Sequence, residues 1–281
     1  NAAGCVILKQ YTPVSVNIKE AFFMIYRVDL HVHTSATEGV SASLDELVRA
    51  ARRAGLDAIA VTDRDSCTPV PVELRGILLI PGCEISTLGG QILGVFLDQP
   101  LDFARLRRDG LPTADEAVIE IHRCGGLAIL ANPFAKKDAN PALFPIRPDA
   151  VETANARAAM RNPEANKRAL LWAADHQRPS VGSSNAHSPQ ELGNAYTEIA
   201  CRRLSRAFLK DALDLGHCRP VFVRDTKRSL FSPRSSKAAA RSAPRKKNTG
   251  SLLRRAAVSG ANSLVSLRQR LTIRRKPPKK D

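Results

Sequence analysis

The 281-residue chain has six cysteines but no Cys-x-x-Cys pair, which leaves no basis for a zinc knuckle or a dense disulfide frame and makes a reducing, cytoplasmic setting the expectation. No run approaches the roughly 20 apolar residues that cross a bilayer; Ala21 to Tyr26 and Ile77 to Pro81 are among the longest. There is no Gly-rich phosphate loop, and no serine or cysteine sits in a nucleophile context. The chain begins without methionine, and Lys9 and Lys19 lie outside any sustained apolar core, unlike a secretory signal. Residues 1–23 therefore read as an extension of unknown role ahead of the first strand.

Positive charge, by contrast, is abundant, with a formal net charge of +16. Residues 225–281 hold 17 Lys or Arg against two acids, which leaves 26 basic and 25 acidic residues in 1–224. The excess belongs to a tail rather than to the body, so the two are read separately. Ser, Lys, Arg, Pro and Ala dominate the first part of that tail, a composition that cannot bury a core and predicts disorder. Leu253, Ala256, Ala257, Leu264, Leu267 and Leu271 then recur near helical spacing, so a short helix near 252–273 that forms on contact is compatible with the pattern. Nucleic acid and an anionic membrane surface both suit such a tail, as does the role of a solvated linker; Phe231 is its single aromatic, which weakens base stacking.

The body alternates strand-like and helix-like segments. Residues 25–30 and 58–61 are apolar β runs, and between them Leu44, Leu47, Val48, Ala51 and Ala54 repeat at helical spacing behind Ser43 as N-cap. The pattern continues with a strand at 77–80, a strand pair over 85–96 turning at Gly89-Gly90, a helix near 113–123 and a strand at 127–130. A helix over about 163–176, a strand at 180–182, a helix around 204–215 and a strand at 220–223 complete it. This rhythm predicts an α/β fold with a mainly parallel sheet or barrel, occupying residues 24–224.

In such folds functional side chains gather past the C-terminal ends of the strands. His31 and His33 follow the first strand, Thr62-Asp63-Arg64-Asp65 the second, Glu84 the third, Asn132-Pro133 the strand at 127–130, and Asn185-Ala186-His187 the strand at 180–182. A His-x-His pair on a strand puts both imidazoles on one side. Alone, the pair does not separate a metal site from an incidental repeat; joined to Glu84 and His187, it suits zinc, manganese or iron. His122, His176 and His217 sit in helix-end or turn contexts and are read as structural, and Trp172 as packing.

The run from Arg27 to Ser35, the segments Ala58 to Asp63 and Pro81 to Ser86, and Ser184-Asn185-Ala186-His187-Ser188 resemble the polymerase and histidinol phosphatase (PHP) family over roughly residues 25–224. Gly126 to Phe134, Glu152 to Arg157 and Glu191 to Thr197 support the same resemblance. It implies a distorted seven-stranded β/α barrel whose rim holds up to three divalent metals and hydrolyses phosphoesters. It also implies that His31, His33 and Glu84 are metal ligands and that His187 is the last histidine of the site. Glu38 stands where the family has aspartate. Arg64, Gln91 and Asn132 stand at histidine places, and Asn185 at an aspartate place.

Arginine has no lone pair to give, and three dications would meet uncompensated repulsion in a pocket short of donors. The expectation is one ion or none, on His31, His33 and Glu84 with the Asn185 oxygen assisting and Glu38 a further oxygen donor. Arg64 either holds phosphate as a substitute cation or pairs with Asp63 or Asp65. The expected activity is weak metal-dependent hydrolysis of a small phosphoester, with Arg64 and His187 as catalytic groups. The alternative is a non-catalytic phosphate- or nucleotide-binding module tethered by the tail.

Overall fold

A computed structural model describes residues 23–223. The tail at 225–281, its helix near 252–273 and nearly all of the 1–23 extension lie outside the described residues. Ten strands form one mixed sheet: β1 (Met24–Val32), β2 (Ala58–Val61), β3 (Glu73–Leu74), β4 (Ile77–Thr87), β5 (Gly90–Val95), β6 (Leu127–Ala131), β7 (Ala150–Asn155), β8 (Ser180–Ser183), β9 (Ala195–Cys201) and β10 (Cys218–Phe222). The helices are α1 (Leu44–Arg53), α2 (Phe103–Leu106), α3 (Ala114–Arg123), α4 (Ala156–Arg161), α5 (Ala165–Asp175) and α6 (Arg206–Asp214).

Local chemistry explains the helix starts. Ser43 and Thr113 each close a capping box, with Glu46 and Glu116 reaching back to the cap backbone, and satisfy amides that α1 and α3 cannot pair internally. Apolar faces then fix the packing. Leu47 and Val48 of α1 share a buried cluster with Ile59 and Leu79, Ile121 of α3 and Trp172 of α5 join a second, and Leu209 of α6 belongs to a third with Val28, Leu30, Ile80 and Ile129.

The sheet runs in the order β10-β9-β1-β2-β4-β5-β6-β7-β8. Seven of these strands, β1, β2 and β4 to β8, make a nearly closed ring, and Ala186, just past β8, bridges back in parallel to Val32 of β1. Asp29 fastens that seam by accepting bonds from the Ser184 amide and hydroxyl. Two expectations need correction. The sheet is mixed rather than mainly parallel, with five antiparallel pairings beside four parallel ones. The segments 77–80 and 85–87 are also one strand: β4 pairs in parallel with β2 through Pro81 and antiparallel with β5 from Gly82. Gly82 permits that exchange, since a Cβ there would lie 2.6 Å from the Gly94 carbonyl oxygen. Glu84 consequently sits within a strand, not beyond its end.

The five described cysteines, Cys67, Cys83, Cys124, Cys201 and Cys218, are all free thiols. Among the described residues no helix is long and apolar enough to cross a membrane.

Burial pushes the Asp29 carboxyl up from 3.8 to about 7, against the lowering effect of its Ser184 bonds. A carboxyl raised in the folded state favours folding below its unfolded value and loses that contribution as pH climbs through the folded one. Asp29→Asn is therefore expected to gain melting temperature relative to the wild type as pH rises from about 4 to 7, as calorimetric scans across that range would record. A difference between the two proteins that does not change with pH would contradict the assignment.

Candidate metal and anion site

His31, His33 and Glu84 are fully buried, and one ligand atom from each falls within 4.8 Å of the others. His31 Nε2 lies 3.1 Å from His33 Nε2 and 3.2 Å from Glu84 Oε1. A tetrahedral ion with bonds of about 2.0 Å would separate its ligand atoms by about 3.3 Å; the two separations from His31 match this, and the His33 to Glu84 separation of 3.9 Å is longer, so a small closure of this group would hold one small divalent cation. Among the described residues the buried Asn185 Oδ1 has no hydrogen-bond partner, and Glu84 Oε1 has only the His31 contact at 3.2 Å.

Each ligand is held from behind. His31 Nδ1 lies 3.0 Å from Glu152 Oε1, and Glu152 also accepts bonds from the Asn132 amide, the Asn155 side chain and the Ser183 hydroxyl. A carboxylate behind one imidazole nitrogen turns the other nitrogen toward the cluster. His33 Nδ1 donates to Thr37 Oγ1, whose hydroxyl donates to Asp63, which also accepts from Thr34 and Thr68. Asp65 receives the Ser86 amide and hydroxyl and pairs with Arg107. Both aspartates thus organise loops.

The charges are strongly coupled. Burial opposes a charged His31, but Glu152 and Glu84 on either side outweigh it and lift its pKa to about 10. Burial and the His31 charge push His33 down to about 2. Burial likewise opposes ionisation of Glu84, yet His31, His33 and Arg64 hold its carboxyl below the usual range. The site without a cation is an imidazolium clasped between two carboxylates.

Arg64 pairs with neither Asp63 nor Asp65, which removes the second of the two readings of this residue. Its Nε donates to Glu84 Oε2 at 2.9 Å, leaving Oε1 to face His31. Beside it opens a pocket of about 160 Å³ lined by Arg64, Gln91, Asn132, Arg157, Arg161, Asn185 and His187, with no acidic residue in the lining. Asn132 Nδ2 donates to Gln91 Oε1, so two of the substituted histidine places hold amides bonded to each other. The His187 ring lies 4.4 Å from that of His33 without joining the His31, His33 and Glu84 group. Its Nδ1 meets the Asn185 carbonyl, and burial lowers its pKa. Glu38 is exposed and lies outside the His31, His33 and Glu84 group.

Sequence reasoning left the orienting role of Glu152 open and gave no role to Arg157 or Arg161. The latter pair's spacing of four on α4, directly after a strand, is the signal that marks one helix face. Arg157 bonds the Asn185 carbonyl and pairs with Glu191, steadying the loop that carries His187. His122 pairs with Asp149, and His176 stacks on Trp172, as structural residues do.

A cation must displace the proton between His31, His33 and Glu84, so its affinity should rise about tenfold per pH unit below about 10. Buffered manganese titrations between about pH 6 and 8 would show this slope, and a flat response would refute the exchange. Glu152→Gln should weaken the same binding by about 10- to 100-fold while His31 and His33 stay in place.

Residues 163–218 match the PHP-associated family model. The chain is 28% identical over 149 residues to an uncharacterized protein of Methanocaldococcus jannaschii, which covers 46% of this chain and 82% of that one. In structure it is similar to a two-domain protein of Bacteroides vulgatus containing a predicted PHP-like metal-dependent phosphoesterase, with a TM-score of 0.51, 20% identity, and coverage of 71% of this chain and 65% of the other. It is also similar to PsfC of Pseudomonas syringae, with a TM-score of 0.55, 15% identity, and coverage of 73% and 95%. The chain spans less than two thirds of the Bacteroides protein, and at these identities the likenesses show the fold. The match of residues 163–218 to the PHP-associated model, together with the likeness in fold to a protein described as PHP-like, bears out the resemblance read from the sequence.

Proposed function

We propose that the protein binds a small phosphate ester at a one-cation site and hydrolyses it slowly. The observation that carries this reading is the double position of Arg64, which bonds the buried ligand Glu84 and also lines the acid-free pocket. A guanidinium in that place offers paired donors to phosphate oxygens while its charge replaces part of what further cations would supply. Arg161 adds a second positive group, and Arg157 holds the Asn185 to His187 loop against the pocket.

A divalent cation on His31, His33 and Glu84, whether manganese, zinc or iron, would supply polarisation of the phosphoryl group and a lowered pKa for the attacking water. Glu152 fixes the His31 ring for that role. Neutral His187, with Nδ1 facing the Asn185 carbonyl, keeps Nε2 as the proton acceptor on the pocket side. The hydrogen-bonded Gln91 and Asn132 amides favour slow turnover, because they recognise phosphate without contributing charge. The same feature supports the second reading, a non-catalytic phosphate- or nucleotide-binding module that the basic tail at 225–281 tethers to nucleic acid or an anionic surface.

Inorganic phosphate at 100 times its Kd should stabilise the full chain by about 2.7 kcal/mol, visible as a raised melting temperature. Arg161→Ala should reduce that shift. Manganese-dependent release of phosphate from small monoesters, lost in Glu84→Gln, would support the enzyme. A phosphate-induced shift without turnover would select the binding module, and no shift at all would sink both readings.

A further inference from the structure

The phosphate pocket opens into a second cleft of about 630 Å³, and Arg64, Gln91, Asn132 and Arg161 line both. Beyond these shared polar groups the lining has an apolar side, with Leu88, Leu111, Leu143, Phe144 and Pro133. Leu88, Leu111 and Leu143 are 58%, 50% and 50% exposed, so half of each leucine remains to be covered. Ser86, Thr87, Lys136, Asp138 and Asn140 complete the polar part of the lining.

Backbone ties hold the cleft open. The Leu88 amide donates to the Pro112 carbonyl at 2.9 Å, joining the β4–β5 turn to the segment before α3. Gly89 packs so closely on residue 143 that a Cβ would lie 1.7 Å from the Leu143 carbonyl oxygen. The Ile146 amide donates to Asp115, anchoring the far side of the same loop. Three apolar side chains are thus presented by three loops that are fastened to one another, and a ligand entering there meets a site with little left to order.

We infer that the preferred ligand is a small phosphate monoester with an apolar, ring-sized organic body: Arg64 and Arg161 hold the phosphate, and Leu88, Leu111 and Leu143 cover the body. The inference rests on the phosphate reading above and extends it to the other half of the ligand. Charge complementarity favours this orientation, because Arg64 and Arg161 line both pockets whereas the leucines line only the larger one. The cleft's volume suits a small molecule, and covering half-exposed leucines rewards apolar surface over a hydroxylated chain of similar length.

The test is calorimetric titration of the full chain with inorganic phosphate, glycerol phosphate and naphthyl phosphate. Naphthyl phosphate is expected to bind roughly tenfold or more tightly than glycerol phosphate. The double variant Leu111→Ser, Leu143→Ser, altered at half-exposed positions, should bring that ratio close to one. Equal affinity for the two esters, with inorganic phosphate still bound, would overturn the apolar subsite and leave the phosphate pocket standing. A preference that survives the double variant would also overturn it. Failure of all three ligands to bind would instead remove the phosphate reading on which the inference depends.

Discussion

Glu84 is a carboxylate with no exposed surface, and the rim is organised by the way its charge is balanced. One oxygen faces His31 and the other receives Arg64. Burying an unpaired carboxylate is costly enough that the group would otherwise take up a proton. Two positive partners hold it ionised, and one of them, His31, is replaceable by a metal because its own charge is a removable proton. The other is permanent. That fixed charge repels any cation placed near it, which disfavours further metal ions beside Arg64.

Three more buried carboxylates make that balance rigid. Asp29 joins β1 to the segment after β8 and so closes the barrel where His31 emerges. Glu152 reaches from β7 to the His31 ring, and Asp63 ties the threonines whose hydroxyl orients His33. None of the three belongs to the His31, His33 and Glu84 group, yet each sets the position of a residue that does. The barrel thereby converts distant strand ends into donor distances close to those of a single coordination sphere.

Much of this was legible in the sequence. The apolar runs at 25–30, 58–61 and 127–130 and the capped helices behind Ser43 and Thr113 announce themselves through local pattern, and the ordered motifs mark the rim. The His31, His33 and Glu84 group follows from residue type and strand position. The unbroken course of β4 does not, because Pro81-Gly82 reads as a break until Gly94 is seen pressing on Gly82. Arg64 was ambiguous for a similar reason: its neighbours in sequence are aspartates, but those are engaged by loop amides and hydroxyls and by Arg107, leaving Glu84 as its partner in space. Glu38 shows the converse error, since a family position alone does not carry an exposed turn residue into a buried cluster.

In the proposed function the rim holds one cation, with arginine and paired amides in the remaining places. Metal content per chain decides it most directly, measured by elemental mass spectrometry after exposure to manganese, zinc or iron and desalting. One retained ion is expected, lost in His31→Ala and in Glu84→Ala. Three ions per chain, or a single ion that survives both substitutions, would contradict it.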